Sequence, residues 1–319
     1  MLKFLVKRIT ISIALLFVVI TLVFSFVHMM PGDPVLTMLG VDSNPDPATV
    51  EQIRHEMGLD QPILVQYADY IKGILQFDMG MSYSEKIPVT EAIASRFPRT
   101  MELAFVSLIL ACLIGIPFGM IAAVRRGKTS DLVLTAAASV GTSIPVYVIG
   151  YLLVVMFALN IFDLPIAELP ASGYTAFSKN PSLHIQKLIL PAITLALGTS
   201  ASIMRTTRSA MLDAMGAEAV RPLRAKGMSN GKVIRKHVVR NAMIPVITII
   251  GLQLGTLIGG TVLCETVFNW PGVASLLVKA INHRDYPLIQ GCVCLISVVY
   301  IFTNMVVDII YGILDPRVR

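Results

Sequence analysis

The stretch "GMSNGK", Gly227 to Lys232, has two glycines and then a lysine, the outline of a phosphate-binding loop. Such a loop cradles phosphate on backbone N–H groups and needs the spacing G-x-x-x-x-G-K-[ST]. Here three residues separate the glycines and Val233 follows the lysine. ATP hydrolysis is therefore not expected of this chain. Other catalytic patterns fail in the same way. "HEMGL" at His55 lacks the second histidine of a zinc-protease helix. "GTSIP" at Gly141 and "GTSAS" at Gly198 lack the closing glycine of a nucleophile elbow. Cys112, Cys264, Cys292 and Cys294 lie in or beside apolar runs, without metal-ligand spacing, and read as small buried hydrophobes. No metal site is expected. An ion-coupled carrier keeps ionisable groups at mid-membrane. Glu102, Glu265 and Asp308 lie instead near the ends of apolar segments.

What remains is charge. Arg221 to Asn241, "RPLRAKGMSNGKVIRKHVVRN", holds seven Lys or Arg, one His and no acid. The 319-residue chain around it is 55% hydrophobic and 14% charged. Soluble domains carry about 25% charged residues, so the composition points to a membrane protein. The net charge of +6 is spread between apolar runs. That argues for a lipid bilayer and against nucleic acid.

The elements that must carry this stretch follow from hydropathy. A membrane-spanning helix needs roughly 20 mainly apolar residues. Six segments qualify: 9–30, 100–124, 132–162, 188–204, 242–263 and 287–311, the fourth being the weakest. The fold class is thus all-α and polytopic. The first segment is too long for a signal-peptide core and no A-x-A site follows it, so it reads as a retained span. The expected organisation is an N-terminal span (1–30), an extracytoplasmic region with short helices (31–99) and a five-span core (100–319). Within 31–99, Asp46 is placed to cap a helix with Pro47 in its first position and Gly58 at its end. Ile63, Tyr67, Ile71 and Leu75 form one face of the next helix.

Lys and Arg in short loops favour the cytoplasmic side. With the N-terminus inside, 17 of the 26 Lys and Arg fall on inner segments, and six spans put both termini in the cytoplasm. The protein is expected in a bacterial inner membrane. Prolines 117, 145, 191 and 245 are expected to interrupt spans two to five. Their freed carbonyls need a neighbour or a cavity. This marks Thr142, Ser143 and Pro145 of "GTSIP", with Gln253 of "GLQLGT", as candidate pathway residues.

The inner segment 205–241 contains the basic stretch. "VRPLRAK" suits a short helix that Gly227 would end, and Lys232 to Val239 suits the next helix, returning to the membrane. A helix, a glycine turn and a second helix make a shaped knob, which suits a protein socket better than a lipid surface.

The motifs then carry a resemblance. "RAKG" followed by "HVVRNAMIP" resembles the coupling loop of inner-membrane permeases of bacterial ABC importers, in the form found in the dipeptide and oligopeptide family. Gly227 falls on the invariant-type glycine of the loop pattern. Arg221, Pro222 and Leu223 fall on its E-A-A, and His237 to Arg240 on its I-x-L-P. "HMMPGDPV", "MGLDQPILVQY", "FDMGMSY", "RFPRTMELA", "ETVFNWPGV", "HRDYPLIQ" and "VDIIYGILDPRVR" extend the likeness over the whole chain. It is to the N-terminal-type permease subunit. Pro222 and Leu223 depart from the family's usual Thr and Ala, and "GAEAV" replaces its usual acidic start.

The resemblance implies the importer type I permease fold and a role as half of a translocation pathway for di- or oligopeptides. It implies that Arg221, Pro222, Leu223, Arg224, Ala225, Lys226 and Gly227 contact an ATP-binding subunit. His237, Arg240 and Asn241 would support the loop. Expected partners are a second homologous permease, two ATP-binding cassette subunits and an extracytoplasmic solute-binding protein. ATP and Mg would sit on partner subunits, and this chain would bind no cofactor. Nickel chelates, glutathione or opines are alternative cargoes of the same scaffold. An ion-coupled carrier is the alternative from another class.

Overall fold

The structure is a computed structural model that describes residues 2–29, 33–39, 45–159, 161, 169–216 and 227–314. Its helices are α1 (Leu2–Met29), α2 (Pro34–Leu39), α3 (Pro47–Glu56), α4 (Ile63–Leu75), α5 (Val89–Val124), α6 (Thr129–Ser143), α7 (Val146–Ala158), α8 (Pro181–Gly216), α9 (Asn230–Val267), α10 (Val273–Asn282) and α11 (Tyr286–Leu314). Among the described residues there is no strand, only an isolated bridge between Met81 and Pro88.

Five helices, in α1, α5, α8, α9 and α11, are each long and apolar enough to cross a membrane. α6 and α7, bent by 103° at their junction, bring the number to six when the pair is counted as one span. The expected third span is therefore not one helix. Its outer end at Phe162, like Met30 of the first span, lies outside the described residues. The break has a local cause. Pro145 forces the residue before it out of helical geometry, and Ile144 is extended at φ −86, ψ 126. Pro145 also has no N–H, so the last turn of α6 loses one main-chain donor. The Thr142 and Ser143 hydroxyls donate to the Ser139 carbonyl at 3.0 and 2.9 Å as additional bonds along this turn.

Pro117, Pro191 and Pro245 correct the sequence expectation, because they sit inside continuous helices α5, α8 and α9. Packing holds the helix on either side. Leu190 and Ala192 flank Pro191 at 1% exposure, and Val246 follows Pro245 at 0%.

α8 extends well beyond the expected 188–204. It is the least apolar span because it faces protein: 67% of its apolar window is buried, against 11% to 28% in the other four single-helix spans. Its polar side chains are satisfied within the helix. Thr194, Thr199 and Thr207 donate to the carbonyls of Leu190, Leu195 and Ile203 at 2.8 to 2.9 Å.

By packing, the chain forms two compact units. The first comprises Met1–Ile9, Met101–Trp270 and Tyr300–Arg319, with α8 at its centre packed against α6, α7 and α9. α5 reaches α8 through glycine. A Cβ on Gly115 would lie 2.7 Å from the Ser200 carbonyl, and one on Gly119 would lie 2.6 Å from Thr207 Cβ. Small residues of this kind let helix backbones approach.

The second unit comprises Thr10–Thr100 and Pro271–Val299. Val27, Val89, Ala92, Ile93, Leu276 and Leu288 are among the residues of its core. Asp285 organises its polar part, accepting from Ser82 Oγ at 2.6 Å and from Ser84 N and Oγ at 2.9 and 2.8 Å. Asp46 caps α3 by accepting from Ala48 N at 3.3 Å, and Gly58 ends that region at φ +65. On α4 the expected apolar face is only half covered. Tyr67 pairs with Thr21 at 2.7 Å and Ile71 is half-buried, whereas Ile63 and Leu75 are exposed near the helix ends.

Candidate functional site

The described part of the basic stretch, from Met228 onward, is seated on a buried apolar platform. Ala123 of α5, Ala210 and Met211 of α8, and Val233, Val238, Ala242 and Val246 of α9 form one cluster. Met228 and Ile234 pack against it. Gly227 immediately precedes Met228 and has φ +80, a conformation glycine adopts without strain. A Cβ there would meet no described atom within 4 Å. Among the described residues the glycine thus fills no packing role, and what it contributes is its backbone conformation.

The start of α9 holds a feature that periodicity did not predict. Ile234–Val238 forms a single π turn. In a regular helix, residues five apart point well away from each other. The wider turn brings Val233 and Val238 onto one face, and they are 0% and 1% exposed. Arg235 and Lys236 are left exposed, while His237 is half-buried. Arg240 and Asn241 are exposed on the following turn. Arg221, Pro222, Leu223, Arg224, Ala225 and Lys226 lie outside the described residues.

The structure brings together the two segments singled out as pathway candidates. Ile144 and Val146, on either side of Pro145, share a cavity of about 240 Å³ with Gln253 and Thr256 of α9 and Thr194 and Thr199 of α8. Thr142, Ser143 and Pro145 are exposed beside this break, and Gln253 is half-buried. Arg205 reaches the Thr142 hydroxyl at 3.5 Å. The arrangement offers hydroxyl and amide groups within an otherwise apolar helix junction. It holds no constellation for bond-breaking chemistry, and among the described residues no three His, Cys, Asp or Glu gather as metal ligands.

Two polar contacts escaped sequence reading because their partners are far apart in the chain. His184 Nε2 lies 2.8 Å from Glu102 Oε1, and its Nδ1 lies 2.7 Å from the Thr175 carbonyl. Tyr174 and Trp270 stand around the ring. Asp131, 3% exposed, receives Arg208 on both carboxylate oxygens at 2.7 and 2.8 Å. Asp308, read as a charge near a span end, pairs with Arg8 at 2.7 Å.

Comparison with known proteins agrees with this architecture. Residues 1–104 match the N-terminal region of binding-protein-dependent transport system membrane components, and residues 115–319 match the inner membrane component itself. The dipeptide transport system permease protein DppB of Escherichia coli K12 is 38% identical, with 100% of this chain and 99% of that protein covered. The glutathione transport system permease protein GsiC of the same strain is 40% identical at the same coverage. Among solved structures, an inward-facing MetNI methionine ABC transporter matches with a TM-score of 0.56 at 18% identity, over 70% of this chain and 95% of that one. At that identity the match speaks for the fold alone. The family, the full-length relatives and the membrane-spanning helices lead to one conclusion: this chain belongs to the binding-protein-dependent transport system inner membrane components and is a multi-pass permease subunit of an ABC importer.

Proposed function

We propose that this permease imports di- or oligopeptides and that residues 221–227 form its contact with an ATP-binding subunit. The observation that carries the loop reading is Gly227. It turns the chain at φ +80 just before Met228, which packs against a buried platform contributed by α5, α8 and α9. A lipid-attracted loop needs charge but no such seat. His237, Arg240 and Asn241 support the loop from the first turns of α9. The ATP-binding subunits, two per complex, carry ATP and Mg, and this chain binds neither. A second homologous permease completes the pathway beside Thr142, Ser143, Pro145 and Gln253. A solute-binding protein delivers cargo to the outer face of the inner membrane, both termini of this chain being cytoplasmic. Residues 1–30, 31–99 and 100–319 then act as anchor, outer cap and transport core.

The peptide reading rests on full-length likeness to a dipeptide permease. Likeness to a glutathione permease favours a second reading, a thiol tripeptide. The test is reconstitution of the complete complex in liposomes with its binding protein. ATP-dependent uptake of labelled alanyl-alanine supports the first reading. Uptake of labelled glutathione alone supports the second. The chain reconstituted by itself is expected to hydrolyse no ATP, and hydrolysis by it would overturn the assignment of the motor to partners.

A further inference from the structure

We infer that Asp131 is a positioning residue for transport, which through Arg208 makes α6 follow α8 when the coupling segment moves. The inference rests on the reading of residues 221–227 as that segment. α8 runs from the centre of the first unit to Gly216, next to the basic stretch. α6 runs from the turn after α5 to the break at Ile144, beside the cavity that holds Gln253. α8 also meets the break directly through α7 and the shared cavity, so α6 offers a second route by which a pull on α8 reaches it.

The α6–α8 contact is smooth where it nears the break. Gly141 faces Ala201 and the Leu197 carbonyl, at 3.7 and 3.8 Å from an added Cβ, and a Cβ on Gly198 would lie 3.9 Å from the Gly141 carbonyl. Ala138 packs with Ala201 and Met204. Such surfaces have few interlocking side chains and can slide. At the opposite end the two helices are locked. Arg208 Nε donates to Asp131 Oδ1 at 2.7 Å and Nη2 donates to Oδ2 at 2.8 Å. A two-point fork fixes orientation as well as distance. The same carboxylate accepts from Gly127 N at 2.9 Å and from Thr135 Oγ1 at 3.3 Å, so it also anchors the turn into α6. The other α6–α8 polar contact among the described residues is the 3.5 Å approach of Arg205 to Thr142.

A buried ion pair can be a stability device or a positional one, and the two are separable. Removing one partner strands a buried charge, whereas removing both does not. In the assembled complex lacking native thiols, spin labels at Val140→Cys and Asp213→Cys report the α6–α8 separation. Without nucleotide and after trapping with ATP and vanadate, the unmodified bridge should give the same distance distribution. Arg208→Gln alone should lower abundance. The double variant Asp131→Asn with Arg208→Gln should restore abundance, yet its separation should shift on trapping by more than the width of the wild-type distribution. Arg208→Lys keeps the charge, loses the fork and should show the same shift. Wild-type distances in both states for the double variant, or for Arg208→Lys if the double variant does not assemble, would leave the bridge a stabilising contact only and overturn the proposal. A change in the wild-type separation on trapping would overturn it as well. Gly227→Asp, measured in parallel, reports on the coupling segment separately. An unaltered ATPase response there removes that segment's role without bearing on whether α6 follows α8.

Discussion

Arg8 of α1 and Asp308 of α11 form an ion pair at 2.7 Å, although 300 residues separate them. The pair joins the N-terminal end of the first span to the C-terminal end of the last. An even number of crossings must therefore lie between these two ends, which the bent α6–α7 pair provides when it counts as one. The cytoplasmic placement proposed for both ends rests on the charge distribution. With native cysteines replaced, Arg126→Cys and Asn230→Cys should resist an impermeant thiol reagent on intact cells, and Gln52→Cys should react. All three are exposed positions. Labelling of Arg126→Cys and Asn230→Cys with protection of Gln52→Cys would invert the orientation.

Gly119 tests the close approach of α5 to α8. A Cβ there would stand 2.6 Å from Thr207 Cβ and 2.7 Å from the Met204 carbonyl, and backbone cannot rotate away. Gly119→Val should destabilise the protein by about 1–3 kcal/mol, as overpacking of a filled core does. Gly259→Ala, where an added Cβ meets nothing within 4 Å, should change little. Thermal melting of both variants in the same detergent decides it, and equal melting temperatures would remove the close packing from the stability argument.

The His55–Asp60 pair carries a pH dependence. His55 Nδ1 lies 2.7 Å from Asp60 Oδ2. The hydrogen bond to Asp60, and then its charge, raise the His55 pKa above 6.5, while the hydrogen bond from His55 lowers Asp60 below 3.8. A raised histidine contributes order that is complete below 6.5 and fades as pH rises through its folded value. A lowered aspartate contributes order that is complete above 3.8 and fades as pH falls through its folded value. The ion pair is thus complete between the two folded values. Asp60→Asn should shift the His55 titration, followed by NMR of the imidazole carbon, toward lower pH. No shift would mean the contact is not populated in solution.

Much of this molecule was legible because its signals are local. Six apolar segments, the Asp46 cap, Pro47 and the turn at Gly58 each depend on residues within a few positions of one another. What escaped depends on distant partners. Asp131 and Arg208 lie 77 residues apart, and His184 and Glu102 lie 82 apart, so neither pair has a spacing to read. The π turn at Ile234–Val238 escaped for another reason. Val233 and Val238 look out of phase on a regular helix, and only the platform they share makes the extra residue favourable. The prolines misled because sequence shows the lost donor and not whether the helix continues through it. Burial holds the helix at Pro191, but Pro117 and Pro245 are exposed like Pro145 and still lie within continuous helices, so exposure alone does not account for the break.

Gly227 gives the sharpest test of the coupling role, because its surroundings separate shape from packing. An added Cβ meets no described atom within 4 Å, so the substitution does not press on the apolar platform at that carbon. The cost is confined to the backbone at φ +80, roughly 1–2 kcal/mol for a residue with a Cβ. That is too little to unfold a chain with two well-packed units. It is enough to re-aim residues 221–226 relative to α9. Gly227→Asp should therefore insert and accumulate at near-normal levels, while the assembled complex loses the ATPase response to its loaded binding protein and uptake falls at least tenfold. Lys232→Gln removes one exposed charge from the first turn of α9 and leaves the glycine turn intact. It should reduce uptake by less than twofold. If the loop only attracts anionic lipid, the order reverses, since each lost cation would then cost about 1 kcal/mol of surface attraction and the turn geometry nothing. Uptake and stimulated ATP hydrolysis measured on both variants in one preparation separate these outcomes, and full transport by Gly227→Asp would end the coupling assignment.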